Sequence, residues 1–273
     1  MASKIATVLI AVAWLTMSFG LIRDEVAPAL EHAREIAESA SYADLDRFVP
    51  ESTVEQMGIY MGSRRIGTST TWLRRKEDEL VIESETHLNL LSGAGLPSIV
   101  PGASGGAEAM IHFRALVIGN RLIDFRTTVS APPGSAPVVT VDGAPRGDSL
   151  ILHIKQFGTE RTEVVPFDQR QFLASSMAPG YSYQELEVGR RWRIKALDYF
   201  NYSVSSAWAE VTGKERITIQ GEEKEAFVVE IEYGTHKVTV WVDESGQLLQ
   251  QKLLAFTFIR EKPSEEALEA LKR

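Results

Sequence analysis

The groups that could do chemistry are few and scattered. The five histidines, His32, His87, His112, His153 and His236, stand alone: none has a second histidine at metal-ligand spacing, and no His-Glu-x-x-His run occurs. His87, His112 and His153 alternate with apolar neighbours and read as ordinary sheet-face histidines. Ser175 and Ser176 lack the Gly-x-Ser-x-Gly elbow of a serine hydrolase. Glu83, Glu85 and Asp124, with His112, are the groups best able to build a general acid–base pair. On the exposed face of a sheet they are more simply solvating charges. The glycine-rich pieces 93–95 and 102–106 are not followed by Gly-Lys-Ser/Thr, so they are linkers and not a phosphate loop. Cysteine is absent, which excludes thiol nucleophiles, thiolate metal sites, disulfides and lipoprotein acylation. We expect no catalytic residue, no metal and no cofactor.

Two other sets invite a binding role. Arg64, Arg65, Arg74 and Arg75, with Lys76, cluster around one hairpin. They either pair across strands with Glu77, Glu79 and Glu83 or dock an acidic partner. The aromatics Trp72, Phe113, Phe125, Trp192, Trp208, Phe227 and Trp241 recur through the strands. They either pack the core or line an apolar concave face that holds a lipid-like ligand. The net charge of −8 leaves no electrostatic footprint for nucleic acid and argues against adsorption on anionic headgroups.

The elements that must position these groups are mostly strands. From Val54 onward, period-two segments are separated by Gly, Asn, Pro and Asp turns. Leu80, Ile82, Ser84, Thr86, Leu88 and Leu90 share one face; Val81, Glu83, Glu85, His87 and Asn89 share the other. The segments 110–117 and 122–129 flank an Ile118-Gly-Asn-Arg121 turn. Leu150, Leu152 and Ile154 alternate with Ile151, His153 and Lys155. Phe227, Val229, Ile231 and Tyr233 alternate with Glu230 and Glu232, and a Gly234-Thr235 turn leads on to Val238, Val240 and Val242. Asp243 to Gly246 turns into one long final strand through Ile259. Such hairpins predict a large curved antiparallel sheet over 51–262, a half-barrel and not a compact sandwich. A loop is expected over 92–107, a short helix over 169–177 and a C-terminal helix within 263–273.

The N-terminus sets the compartment. Residues 5–22 carry no charge and include Ile5, Val8, Leu9, Ile10, Trp14, Leu15, Phe19, Leu21 and Ile22. A spanning helix needs roughly 17–25 apolar residues, so an uncleaved anchor over 1–23 fits; a cleaved secretory signal or a buried helix are the alternatives. Residues 24–50 read as an amphipathic stalk helix that packs on the domain or pairs with a partner subunit.

The motif Met57-Gly-Ile-Tyr-Met-Gly-Ser-Arg-Arg-Ile-Gly67, with Gly189-Arg-Arg-Trp192 and Trp241-Val-Asp-Glu-Ser-Gly-Gln-Leu-Leu249, resembles the β region that precedes transglutaminase-like domains in bacterial envelope proteins. It is also similar to DUF3108-type periplasmic proteins, which look like the LolA/LolB half-barrel. The transglutaminase nucleophile is a cysteine, so none of that family's catalytic residues transfers. The resemblance implies an envelope scaffold: held in the inner membrane by its N-terminal helix, facing the periplasm, and binding an envelope partner such as a transport or transglutaminase-like component. An apolar ligand carrier is the alternative.

Overall fold

The computed structural model describes residues 52–90, 107–170, 173–175, 186–198, 203–233 and 236–272. The expected anchor, stalk helix and Gly234-Thr235 turn lie outside them, as does the expected loop over 92–107 except for its last residue, Ala107, which opens a strand. Among the described residues no helix is long and apolar enough to cross a membrane.

The described strands form one sheet. In chain order they are β1 Thr53–Met61, β2 Arg64–Lys76, β3 Glu79–Leu90, β4 Ala107–Ile118, β5 Arg121–Ser130, β6 Val139–Arg146, β7 Ser149–Gln156 and β8 Thr159–Pro166. There follow β9 Leu173–Ser175, β10 Arg191–Asp198, β11 Ser203–Ile219, β12 Glu222–Tyr233, β13 His236–Val242, β14 Leu248–Leu253 and β15 Phe256–Glu261. The spatial order runs β8 to β1 and then β15 down to β9. The pairing of β1 with β15 joins two meanders, and the two ends of the sheet, β8 and β9, are not neighbours. All neighbours are antiparallel except β9 and β10. The sheet is therefore open, large and almost wholly antiparallel.

Alternation decides which residues go inside. Met57, Leu73, Ile82, Ala115, Phe125, Val141 and Leu152 belong to one apolar cluster with Val211, Val229, Val240 and Phe258. A single cluster drawing on strands so far apart in the order requires a sheet curved around its own apolar face. Bulges in β1/β2, β4/β5, β11/β12 and β13/β14 supply local bends. The opposite face is largely polar, as the alternation in β3, β7 and β12 predicts.

Two expectations fail here. The single final strand is β14 and β15, turned at Leu254 and Ala255 with Leu254 at φ 53°. No Gly, Asn or Pro marks that turn, so the hydrophobic run conceals it. The short helix over 169–177 is not what forms at 173–175, where β9 pairs with β10 through Leu173, Ala174 and Ser175. Sheet pairing overrides local helical propensity there. The C-terminal helix forms over Glu265–Ala270, with the Ser264 side chain accepting from the Ala267 N–H and two acidic residues in its first turn.

Candidate functional site

The outer face of β1, β2 and β3 carries the built features. There the C-terminal helix is clamped across the sheet. Val54 and Trp72 are opposite each other in β1 and β2, and both pack on Ala267. The Trp72 indole donates to the Ala267 carbonyl at 2.9 Å, and Arg74 Nη2 donates to the Ala270 carbonyl at 3.1 Å. The helix has no basic residue in its last turn, so Arg74 supplies the cation its carbonyl end favours. At the entry, Ser264 N–H donates to the Gln56 side chain at 2.8 Å.

Between helix and strands runs a groove of about 370 Å³, its floor formed by Thr68, Thr70, Glu83 and Glu85 and its lip by Ser264 and Glu266. Glu83 binds the groove to its neighbourhood: it forms an ion pair with Arg74, and its second oxygen lies 3.0 Å from His112 Nε2. Partial burial pushes the Glu83 carboxyl up, but hydrogen bonds from His112 and Arg74 outweigh it and leave its pKa below the usual value. Glu85 lies opposite His112 in the ladder, 3.7 Å from His87 Nε2. A second outer concavity, about 530 Å³, is lined by His112, Arg114, Asp124, Arg126, Asp142 and His153.

The structure thus brings Arg74, Glu83 and His112 into contact, with Glu85 beside them and Asp124 beyond. A carboxylate whose pKa is lowered stays ionised and can orient a histidine, but it is a poor proton donor. Among the described residues no group of three His, Asp or Glu side chains is arranged to hold a metal ion.

The aromatic set divides between the faces. Phe113 and Phe125 are inside, ring centroids 6.1 Å apart, with Phe227; Trp192 packs against the same cluster. Trp72, Trp208 and Trp241 are outside, which corrects the expectation of a single concave aromatic surface. Each sits between inward residues (Ala207 and Ala209 around Trp208, Val240 and Val242 around Trp241), so the pleat turns it outward. Arg191 and Arg193 lie over the Trp208 ring, at 4.5 and 4.4 Å from its centre, and Trp241 donates to Glu215 at 2.7 Å.

Arg65 and Arg74 pair across strands. Arg74 takes Glu83 as expected, whereas Arg65 makes a two-toothed contact with Glu261, at 2.7 and 3.2 Å, beyond the carboxylates considered from sequence. Tyr60 donates to the same Glu261 at 3.1 Å; burial first, then that carboxylate, raises the Tyr60 pKa. Arg64 is exposed, and the Arg75 backbone N–H donates to Ser52 Oγ.

Sequence reading missed the groove's Thr68, Thr70, Ser264 and Glu266, and one pair on the inner face. Glu55 and Arg260 lie 3.3 Å apart with side chains 12% and 18% exposed, and Arg260 also donates to the Leu248 carbonyl at 2.9 Å. Burial raises the Glu55 pKa, and Arg260 offsets that only in part. The signal was available: Glu55 shares parity with Met57 and Ile59, and Arg260 with Phe256 and Phe258.

Glu83 also gives a pH test. A carboxyl whose folded pKa lies below its unfolded value adds stability above the unfolded pKa and loses it as pH falls through the folded one. Glu83→Gln is therefore expected to lower the melting temperature at pH 7, with the difference from wild type closing as pH drops below the usual carboxylate range. Melts followed by circular dichroism across that range check this.

Fold and groove together define a class: an open antiparallel β-sheet protein with its terminal helix clamped to the outer face. No protein-family model and no curated protein matches the chain. Among solved structures it is similar to a β-barrel-like protein of a domain of unknown function, DUF1849, from Brucella abortus. The identity is 8%, the TM-score 0.46, and the match covers 77% of this chain and 94% of that one.

Proposed function

We propose that the chain is a non-catalytic scaffold of the bacterial envelope, tethered in the inner membrane by residues 5–22, which binds a protein partner in the periplasm. In this reading the curved sheet is a half-barrel of the LolA/LolB kind, kin to the β regions that accompany transglutaminase-like enzymes. The observation that carries the binding role is the contrast between the faces. Inside, Phe113, Phe125 and Phe227 are only 7%, 1% and 9% exposed, so the apolar face is taken up by its own packing. Outside, the helix-edged groove is open and lined with polar groups. Glu83, Glu85 and Glu266 outnumber Arg74 along it, which suits an extended, basic segment of a partner.

Affinity purification in mild detergent should retain a stoichiometric partner. Thr70→Arg, which fills the groove with a like charge for that partner, should weaken the association by about tenfold, equivalent to about 1.4 kcal/mol. Recovery of the chain alone, or capture indifferent to Thr70→Arg, would refute the reading. The apolar-ligand alternative rests on the continuity of the inner cluster. It predicts lipid in the mass spectrum of gently extracted protein.

A further inference from the structure

Among the described residues, the strand at one end of the sheet has a feature that chance charge placement does not require. β8 pairs only with β7 among the described residues, at one end of the strand order, and its side chains are mostly exposed, Val164 at 63%. Phe167 N–H donates to the Asp148 carbonyl, and Gln156 and Thr159 close the two-residue β7–β8 turn. Antiparallel alternation between those fixed points turns Val165, Glu163 and Arg161 toward β7. The N–H and C=O groups of Glu160, Thr162 and Val164 therefore point away from the sheet, where an added strand would meet them.

We infer that β8 is a homodimer edge, pairing antiparallel with β8 of a second copy about a two-fold axis at Thr162. The charge order selects both the occupant and the register. With Thr162 opposite Thr162, Arg161 of each copy faces Glu163 of the other, and Glu160 faces Val164. Shifting the axis to Glu160, Arg161 or Glu163 sets like charges opposite each other, which is unfavourable in a sheet. Shifting it to Val164 sets Thr162 against Pro166, which has no N–H to give. In the Thr162 register Pro166 falls beyond the paired segment. The in-strand Arg161–Glu163 contact, 3.2 Å, then becomes part of a four-charge cluster of alternating sign. At the other end of the sheet, β9 has three residues, too short to template a comparable pairing. This edge is separate from the groove, so the partner proposed above and a second copy do not compete.

The absence of cysteine makes the test clean. Across a hydrogen-bonded antiparallel pair the Cα atoms are about 5.5 Å apart, within disulfide reach. Full-length Thr162→Cys in mild detergent should therefore form a disulfide-linked dimer under gentle oxidation. Lys252→Cys, exposed on β14, should stay monomeric. In sedimentation equilibrium, Arg161→Glu and Glu163→Arg should each weaken dimerisation roughly tenfold, since two attractive oppositions become repulsive. The double exchange should restore it. Equal cross-linking of the two cysteine variants, a wild-type chain that sediments as a monomer, or a dimer indifferent to both reversals would overturn the inference.

Discussion

Replacing Gly67 by alanine is expected to destabilise the sheet by about 3 kcal/mol, at the upper end for an overpacked interior site. A Cβ there would stand 2.1 Å from the carbonyl oxygen of His87 and 3.2 Å from Leu88 Cδ2. The first obstacle is backbone, so no side chain can rotate out of the way. Neither can the strand slide: Thr68 pairs with His87 and Gly67 with Leu88 on one side, while the β1–β2 bulge fixes Gly67 opposite Ile59 on the other. Gly62 in the adjoining turn is the control. It has φ +60° and no heavy atom within 4 Å of where a Cβ would stand, so alanine there costs only conformational strain, about 1–2 kcal/mol. Urea unfolding of both variants separates the cases. Equal midpoints would mean that the strands part freely at Gly67.

That glycine ends the motif from which the family resemblance starts, and the motif was legible for a reason. Period two and turn chemistry are local, so Gly62, the Gly119-Asn120 turn and the Asp243 loop could be placed by inspection. All are turns, Gly119 and Asn120 both at positive φ, and the Asp243 carboxylate accepts from Ser245 and Gln247 N–H. The turn at Leu254 could not be placed, because its residues are those of a strand interior. Parity likewise put Glu83 and His112 on the polar face, but not in contact. Their meeting depends on the β3–β4 register, which sets Glu83 opposite Arg114 and Glu85 opposite His112. The groove depends on a longer-range fact, the return of the chain end to β2, where Trp72 meets Ala267. Nothing local to Trp72 announces that neighbour. Its large apolar side chain was assigned inward because most are, whereas the helix makes an outward position equally dry.

The same competition between charge and burial governs the Glu55–Arg260 pair, where the second large effect is expected. Arg260→Met should cost about 3–5 kcal/mol at pH 7, because it leaves the Glu55 carboxylate buried without its cation and the Leu248 carbonyl without a donor. The sign of the pH dependence distinguishes charge from packing. Burial already holds the Glu55 pKa above its ordinary value, and removing Arg260 drives it further up. A carboxyl with a raised folded pKa binds its proton more tightly folded than unfolded, so acidification through that folded pKa favours the fold. The deficit of Arg260→Met should accordingly shrink between pH 7 and pH 5, opposite to the trend that Glu83 imposes on the wild type. The paired change Glu55→Leu with Arg260→Met removes both charges and should recover most of the loss, leaving the unpaired carbonyl as the remainder. A deficit that is constant with pH and unrelieved in the double variant would assign the cost to Arg260's packing, with its charge irrelevant. The denaturant midpoints of the three proteins at the two pH values decide between these outcomes.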